Sequence, residues 1–161
     1  MNFLEFTDKF KKQVDSLSYE RQFDLALRVC KKLFFDYQHF FDINEWGNPD
    51  ILLDALNLLE HGKLEKPDTE TLKAMLEKIE AATPDSEDFG EANFAINASG
   101  AVYETIQFVI DKRSEHIYNI GSYLIDTVDA KVQGDDDLSE AEINQHALMV
   151  DAMAYLLRGT Q

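Results

Sequence analysis

The sequence predicts an all-α protein, a single helical bundle of about seven helices over residues 1–161, and three observations carry that prediction. Apolar side chains recur at spacings of three and four along successive stretches, the period of a helix with one buried face. Gly and Pro punctuate the chain between those stretches, as at Gly62, Pro67, Pro84 and Gly134. No run alternates apolar and polar side chains as a half-buried strand does. The length fits about one domain, and no repeat or long linker divides it.

The first helix is expected over residues 3–17, with Phe3, Phe6, Phe10, Val14 and Leu17 on one face. Ser18 is an N-cap for the second, whose inward period is Phe23, Ala26, Leu27, Cys30, Phe34 and Tyr37. The aromatic stretch from Phe34 to Phe41, followed by Trp46 and Gly47, reads as that helix ending in a tightly packed connection. Asn48 and Pro49 open the third helix, since Pro at the first helical position gives up an N–H that has no partner there. Leu52, Leu53, Leu56 and Leu59 line it, and Gly62 closes it. The fourth starts at Asp68, carries Leu72, Met75, Leu76 and Ile79 inward, and stops at Thr83 and Pro84.

The fifth helix, residues 92–112, is apolar or small over most of its circumference and belongs at the bundle centre. Asn93, Asn97, Glu104 and Gln107 form its narrow polar stripe. A single exposed edge is the favoured account of that stripe, because buried Asn and Glu need full hydrogen bonding. The sixth covers residues 115–132, with Gly134 beyond it. The seventh opens on the Ser139–Glu142 capping-box pattern and runs to Gly159, with Ile143, Ala147, Val150, Ala154 and Leu157 inward.

Composition narrows function. The chain holds 31 Asp and Glu against 15 Lys and Arg, a formal charge of −16. Residues 1–45 carry a net of −1 and residues 46–161 a net of −15. Such a charge argues against nucleic acid and anionic membrane surfaces as partners. The longest apolar run, residues 152–157, is far below the ~20 residues of a membrane span, and the charged start lacks the apolar core of a signal peptide. The expectation is a cytoplasmic protein. One Cys excludes a disulfide framework or a thiolate metal site.

Sites of catalysis are hard to find. Asp36 with His39, Glu142 with His146, and Glu115 beside His116 do not repeat the pairs of a di-iron bundle, and surface or helix-end histidines are the favoured reading. The Asp135-Asp136-Asp137 run lacks the alternating ligands and turn glycine of a calcium loop. Cys30 falls on an apolar helix face, where a thiol behaves as a small hydrophobe. No phosphate loop or nucleophile elbow is present. The expectation is therefore no catalytic residue, no metal and no cofactor. Tyr37, His39, Phe41 and Trp46 are residue types of interface cores, but so many aromatics between two helices are more often core.

The stretch Glu80-Ala81-Ala82-Thr83-Pro84-Asp85-Ser86-Glu87-Asp88-Phe89-Gly90, leading into Ala95-Ile96-Asn97-Ala98, resembles the YjaG-like bacterial family. That family carries a similar EAIPSADDFD junction before an Ile-Asp-Ala step. The likeness extends through Phe35-Asp36-Tyr37, Phe40, the Asn48–Leu53 helix start and the stretch from Asp137 to Glu142. It implies an α-helical fold and no established activity, and Asn97 stands where the family has Asp.

What remains is the acid. Two clusters concentrate it: Asp85, Glu87, Asp88 and Glu91, and a second around Asp129, Asp135, Asp136, Asp137, Glu140 and Glu142. A net of −15 exceeds the magnitude of about 2–8 that keeps a small domain soluble. The natural use of the excess is steering onto a basic protein. The expected function is an acidic protein-binding module, an immunity or inhibitor protein filling the nucleic-acid cleft of a nuclease-type toxin. Its binding residues would be Asp85, Glu87, Asp88 and Glu91, with Asp135, Asp136 and Asp137 as a second patch. The alternative is a non-enzymatic housekeeping member of the family, a homodimer burying the aromatic connection. A metal or small-molecule enzyme comes third.

Overall fold

Local capping chemistry sets most helix starts. In the computed structural model, which describes residues 1–134 and 136–161, Asn2 and Glu5 form a reciprocal capping box at α1 (Phe3–Asp15). The Asn2 side chain accepts from the Glu5 N–H at 2.8 Å, and the Glu5 carboxylate accepts from the Asn2 N–H at 3.0 Å. Ser18 caps α2 (Tyr19–Asn44), Asn48 caps α3 (Pro49–His61) and Asp68 caps α4 (Thr69–Ala82). Each such cap contributes about 1 kcal/mol. The remaining helices are α5 (Ala92–Asp111), α6 (Glu115–Gln133), α7 (Glu140–Gln145) and α8 (Ala147–Gly159). Eight helices and no strand make up the described residues.

α5 is the hub. It packs most extensively on α2 and α6 and also touches α3 and α4. Its small side chains Ala95, Ala98 and Ala101 are fully buried, which lets its neighbours approach closely. The same logic applies at two glycines whose missing Cβ is replaced by an aromatic ring. A Cβ on Gly121 of α6 would lie 2.5 Å from the Phe10 ring, and one on Gly100 of α5 would lie 2.7 Å from the Tyr123 ring. Cys30 sits in this core, its Sγ 3.2 Å from Thr105 Oγ1. Burial pushes its thiol up to about 12, against the opposing pull of the Thr105 hydrogen bond, so it is a packing residue at neutral pH.

Phe3 and Leu53, expected inward, are each 40% exposed, and three larger departures from the sequence pattern change an element or a face. α2 does not end in the aromatic stretch but continues through it to Asn44, where Glu45 turns left-handed at φ 53°. Tyr37 and Phe40 fall inward and Phe35 is left 72% exposed, so the stretch is amphipathic helix rather than a connection. The last segment is two helices, because His146 adopts an extended ψ of 136° and breaks the hydrogen-bond ladder. That break resets the helical phase. Met149, Ala152, Met153 and Leu156 face the core, while Val150 is 49% exposed. Finally, half of the polar stripe of α5 is not a free edge: Asn97 and Glu104 bond to side chains of α6, while Asn93 is exposed.

Candidate functional site

The loop between α4 and α5 carries the first acidic cluster. Thr83 leaves the helix in an extended conformation, and Asp85 then organises a turn. Its Oδ1 accepts from the Glu87 N–H at 2.9 Å and its carbonyl from the Asp88 N–H at 3.1 Å. This is the local bonding that makes Asp a turn residue. Phe89 anchors the loop from beneath, edge-on to Phe40 at 5.3 Å and against Trp46 at 5.7 Å. With the apolar side pinned, Asp85, Glu87, Asp88 and Glu91 are all exposed. Among the described residues none of the four has a basic partner within 4.0 Å.

Beside this loop runs an open groove of about 690 Å³, floored by α5 and walled by the end of α4 and by α6. Glu80 and Asp85 come from the end of α4 and the loop after it, Ser99, Gly100 and Tyr103 from α5, and Tyr123 from α6. The Tyr123 ring occupies the space that a side chain at position 100 would take. Burial raises the Tyr123 pKa, and the nearby charges of Glu104 and Asp126 add to it. No Lys, Arg or His lines the groove among the described residues. The Ser99 hydroxyl lies in this wall, 1% exposed, and is the one buried side-chain polar atom among the described residues without a hydrogen-bond partner. Leaving such a group unmet costs about 1–3 kcal/mol.

Of the second predicted patch, two of three residues can be placed. Asp136 and Asp137 are exposed, and the Asp136 N–H donates to the Gln133 carbonyl at 2.7 Å. Asp135 lies outside the described residues. Asp129 and Glu140 line a separate hollow between α6 and α7 together with Asp126. Burial and the neighbouring Asp129 charge raise the Asp126 pKa. The two clusters thus border different hollows, and only the first adjoins the groove.

His116 and His146, and Asn97 and Glu104 of the polar stripe, have structural partners. His146 accepts from the Leu148 N–H at 3.2 Å and caps α8, while Asp36 accepts from Lys131 at 2.7 Å. Among the described residues no three His, Cys, Asp or Glu side chains form a group that could hold a metal ion. His116 is the centre of a bonded cluster that the sequence pattern does not reveal. Its Nδ1 lies 2.5 Å from Glu104 and its Nε2 2.9 Å from Asp111, while Asn119 donates to Glu104 at 3.2 Å. Asn97 donates to Thr127 at 3.0 Å. Half of the expected exposed edge is therefore a hydrogen-bonded seam between α5 and α6. The feature that could have found it is Glu104 at twelve residues before His116, meaningful only once both helices are antiparallel neighbours.

Comparison with known proteins agrees with this architecture. Residues 9–158 match the family model described as "Protein of unknown function (DUF416)". The chain is also similar to a solved structure of a DUF416 family protein from Shewanella baltica, at a TM-score of 0.82 and 24% identity. That alignment covers 92% of this chain and 82% of the other, and it supports the fold alone. No curated protein matches the sequence.

Proposed function

The chain belongs to the DUF416 family, whose function is unknown, and from that premise we propose that it acts by binding a basic protein at the α4–α5 junction. The carrying observation is the coincidence of two features at one place. Four exposed carboxylates without ion pairs sit on the loop beside a cation-free groove that Asp85, one of the four, lines together with Glu80, and Ser99 in the same lining has a buried hydroxyl without a partner. Carboxylates that attract an arginine or lysine give fast association and fixed register. Tyr103 and Tyr123 offer aromatic faces to the same cation. In its narrower form the partner is a nuclease-type toxin, whose phosphate-binding cleft these carboxylates would fill. That form is supported by the net −15 of residues 46–161.

The test is affinity capture with two baits, wild type and a triple variant carrying Glu87→Lys, Asp88→Lys and Glu91→Lys. The Asp85 turn survives in that variant, so thermal stability should stay within about 0.5 kcal/mol per surface change. A basic protein held by wild type and released in a sharp salt step should be missing from the variant bait. Identical proteins on both baits would remove this junction from the interface. A second variant separates binding from folding. Ser99→Ala removes the unmet hydroxyl and should stabilise the free protein by about 1 kcal/mol while weakening the complex. Loss of stability in urea unfolding would show that the hydroxyl is already satisfied.

The exposed apolar side of α2 favours a second reading. Phe35 and Ile43 there are 72% and 57% exposed. A homodimer through that face would persist at high salt in sedimentation, whereas a charge-driven complex would not.

A further inference from the structure

Away from the acidic groove, the N-terminal end of α2 meets the segment after α3 and the C-terminal end of α5 around a hollow of about 380 Å³. That volume suits a small ligand. Its floor is apolar and aromatic: Leu59 and Val109 are buried, and Tyr19 stacks on Phe23 and Phe108 at 6.2 and 5.0 Å. Its rim gathers Lys63, Lys66 and Lys112 in a chain whose formal charge is −16. Lys63 is held by Asp24 at 3.0 Å and Glu60 at 3.5 Å. Lys66 and Lys112 have no carboxylate within 4.0 Å among the described residues, although Glu20 also stands on the rim.

The backbone holds one of these cations in place. Lys112 ends α5 in the left-handed region at φ 60°, which L residues rarely adopt, and its N–H closes the helix on the Phe108 carbonyl at 2.7 Å. Its ammonium lies 5.4 Å from the centre of the Tyr19 ring. Lys63 already has its anions in Asp24 and Glu60, whereas among the described residues Lys66 and Lys112 line the same apolar floor without an ion pair. We propose that this hollow binds a small organic acid, its apolar or aromatic body on Tyr19 and Phe23 and its carboxylate between Lys66 and Lys112.

The probe is 1-naphthoate, with 1-naphthalenemethanol as its uncharged counterpart, followed by amide chemical shifts of the full-length protein. Naphthoate should produce saturable shifts at Tyr19, Lys63 and Lys112. The alcohol should bind about tenfold more weakly, and so should naphthoate to the Lys66→Gln, Lys112→Gln double variant, as expected for losing a charged hydrogen bond. Equal affinity of acid and alcohol would overturn the proposal by showing an apolar hollow indifferent to charge. So would shifts centred elsewhere, or none that saturate at millimolar probe. The comparison of acid with alcohol uses wild-type protein and stands whether or not the variant folds.

Discussion

Tyr37→Phe should destabilise the protein by about 2–4 kcal/mol, because it leaves the buried Ala82 carbonyl and the part-buried Asn48 N–H without their partner at once. The Tyr37 ring is fully buried on α2. Its hydroxyl donates to the Ala82 carbonyl at 2.5 Å, at the end of α4, and accepts from the Asn48 N–H at 3.0 Å, at the start of α3. One oxygen therefore ties three helices, and the acidic loop begins directly after one of its partners. Gly47 shows how close the fit is. Its φ of 100° suits glycine, and a Cβ there would stand 2.5 Å from the Tyr37 hydroxyl. The expected fall in Tm is about 4–16 °C, taking about 2–4 °C per kcal/mol for a domain of this size. Urea unfolding with an unchanged slope is the check. A loss below about 0.5 kcal/mol would mean that water satisfies both backbone groups.

The second large effect is a pH dependence centred on His116. Its side chain is 14% exposed and that of its partner Glu104 16%. Burial works against the charged imidazole, but the bonds to Asp111 and Glu104 outweigh it and hold the His116 pKa above the ordinary histidine value. For Asp111, burial opposes ionisation, yet the bonds from His116 and the Arg113 N–H hold its pKa below the ordinary carboxylate value. A raised pKa in the folded state means that folding binds a proton. The His116 contribution is therefore complete below its unfolded pKa and is lost as pH rises through the folded value. The Asp111 contribution has the opposite sense. It is complete above the unfolded carboxylate pKa and is lost as pH falls through the lowered one. Stability from this cluster should be greatest between the two and fall on the alkaline side. His116→Ala should flatten that alkaline fall and cost about 1.5–3 kcal/mol near pH 6, since Glu104 keeps only Asn119. Unfolding free energies of both proteins across about pH 6–9 decide it. Parallel curves would show that His116 is not the titrating group.

Much of the fold was legible because caps are local. Ser18, Asn48 with Pro49, and Asp68 each bond to an amide two or three residues away, so a short window identifies them. The circumference of α5 likewise announced a central helix before any neighbour was known. Other features depend on tertiary structure. Whether the Phe34–Phe41 stretch turns or continues is decided by Tyr37 and Phe40 finding room against α3, α4 and the 83–91 loop. The break at His146 is one extended residue with no Gly or Pro to mark it, and it rotates every inward position of α8.

The candidate site divides in the same way. Exposure of Asp85, Glu87, Asp88 and Glu91 follows from composition and turn chemistry within a few residues. The groove beside them does not, because its walls come from Glu80, Ser99 and Tyr123 on three helices. Ser99 in particular looks like an ordinary small residue of a packed helix. Only its surroundings show that the hydroxyl lacks a partner. The His116 cluster was hidden for the same reason, its four members lying on α5 and α6.

The central claim is that the α4–α5 junction accepts cationic side chains of a protein. Its most direct test is an amide chemical-shift titration of the whole protein with a short arginine-rich peptide, first at low salt and then with salt added. The predicted result is saturable, salt-sensitive shifts confined to residues 85–91 together with Ser99, Gly100, Tyr103 and Tyr123. Shifts spread evenly over every acidic surface would contradict it, because they would show a diffuse negative field with no docking site.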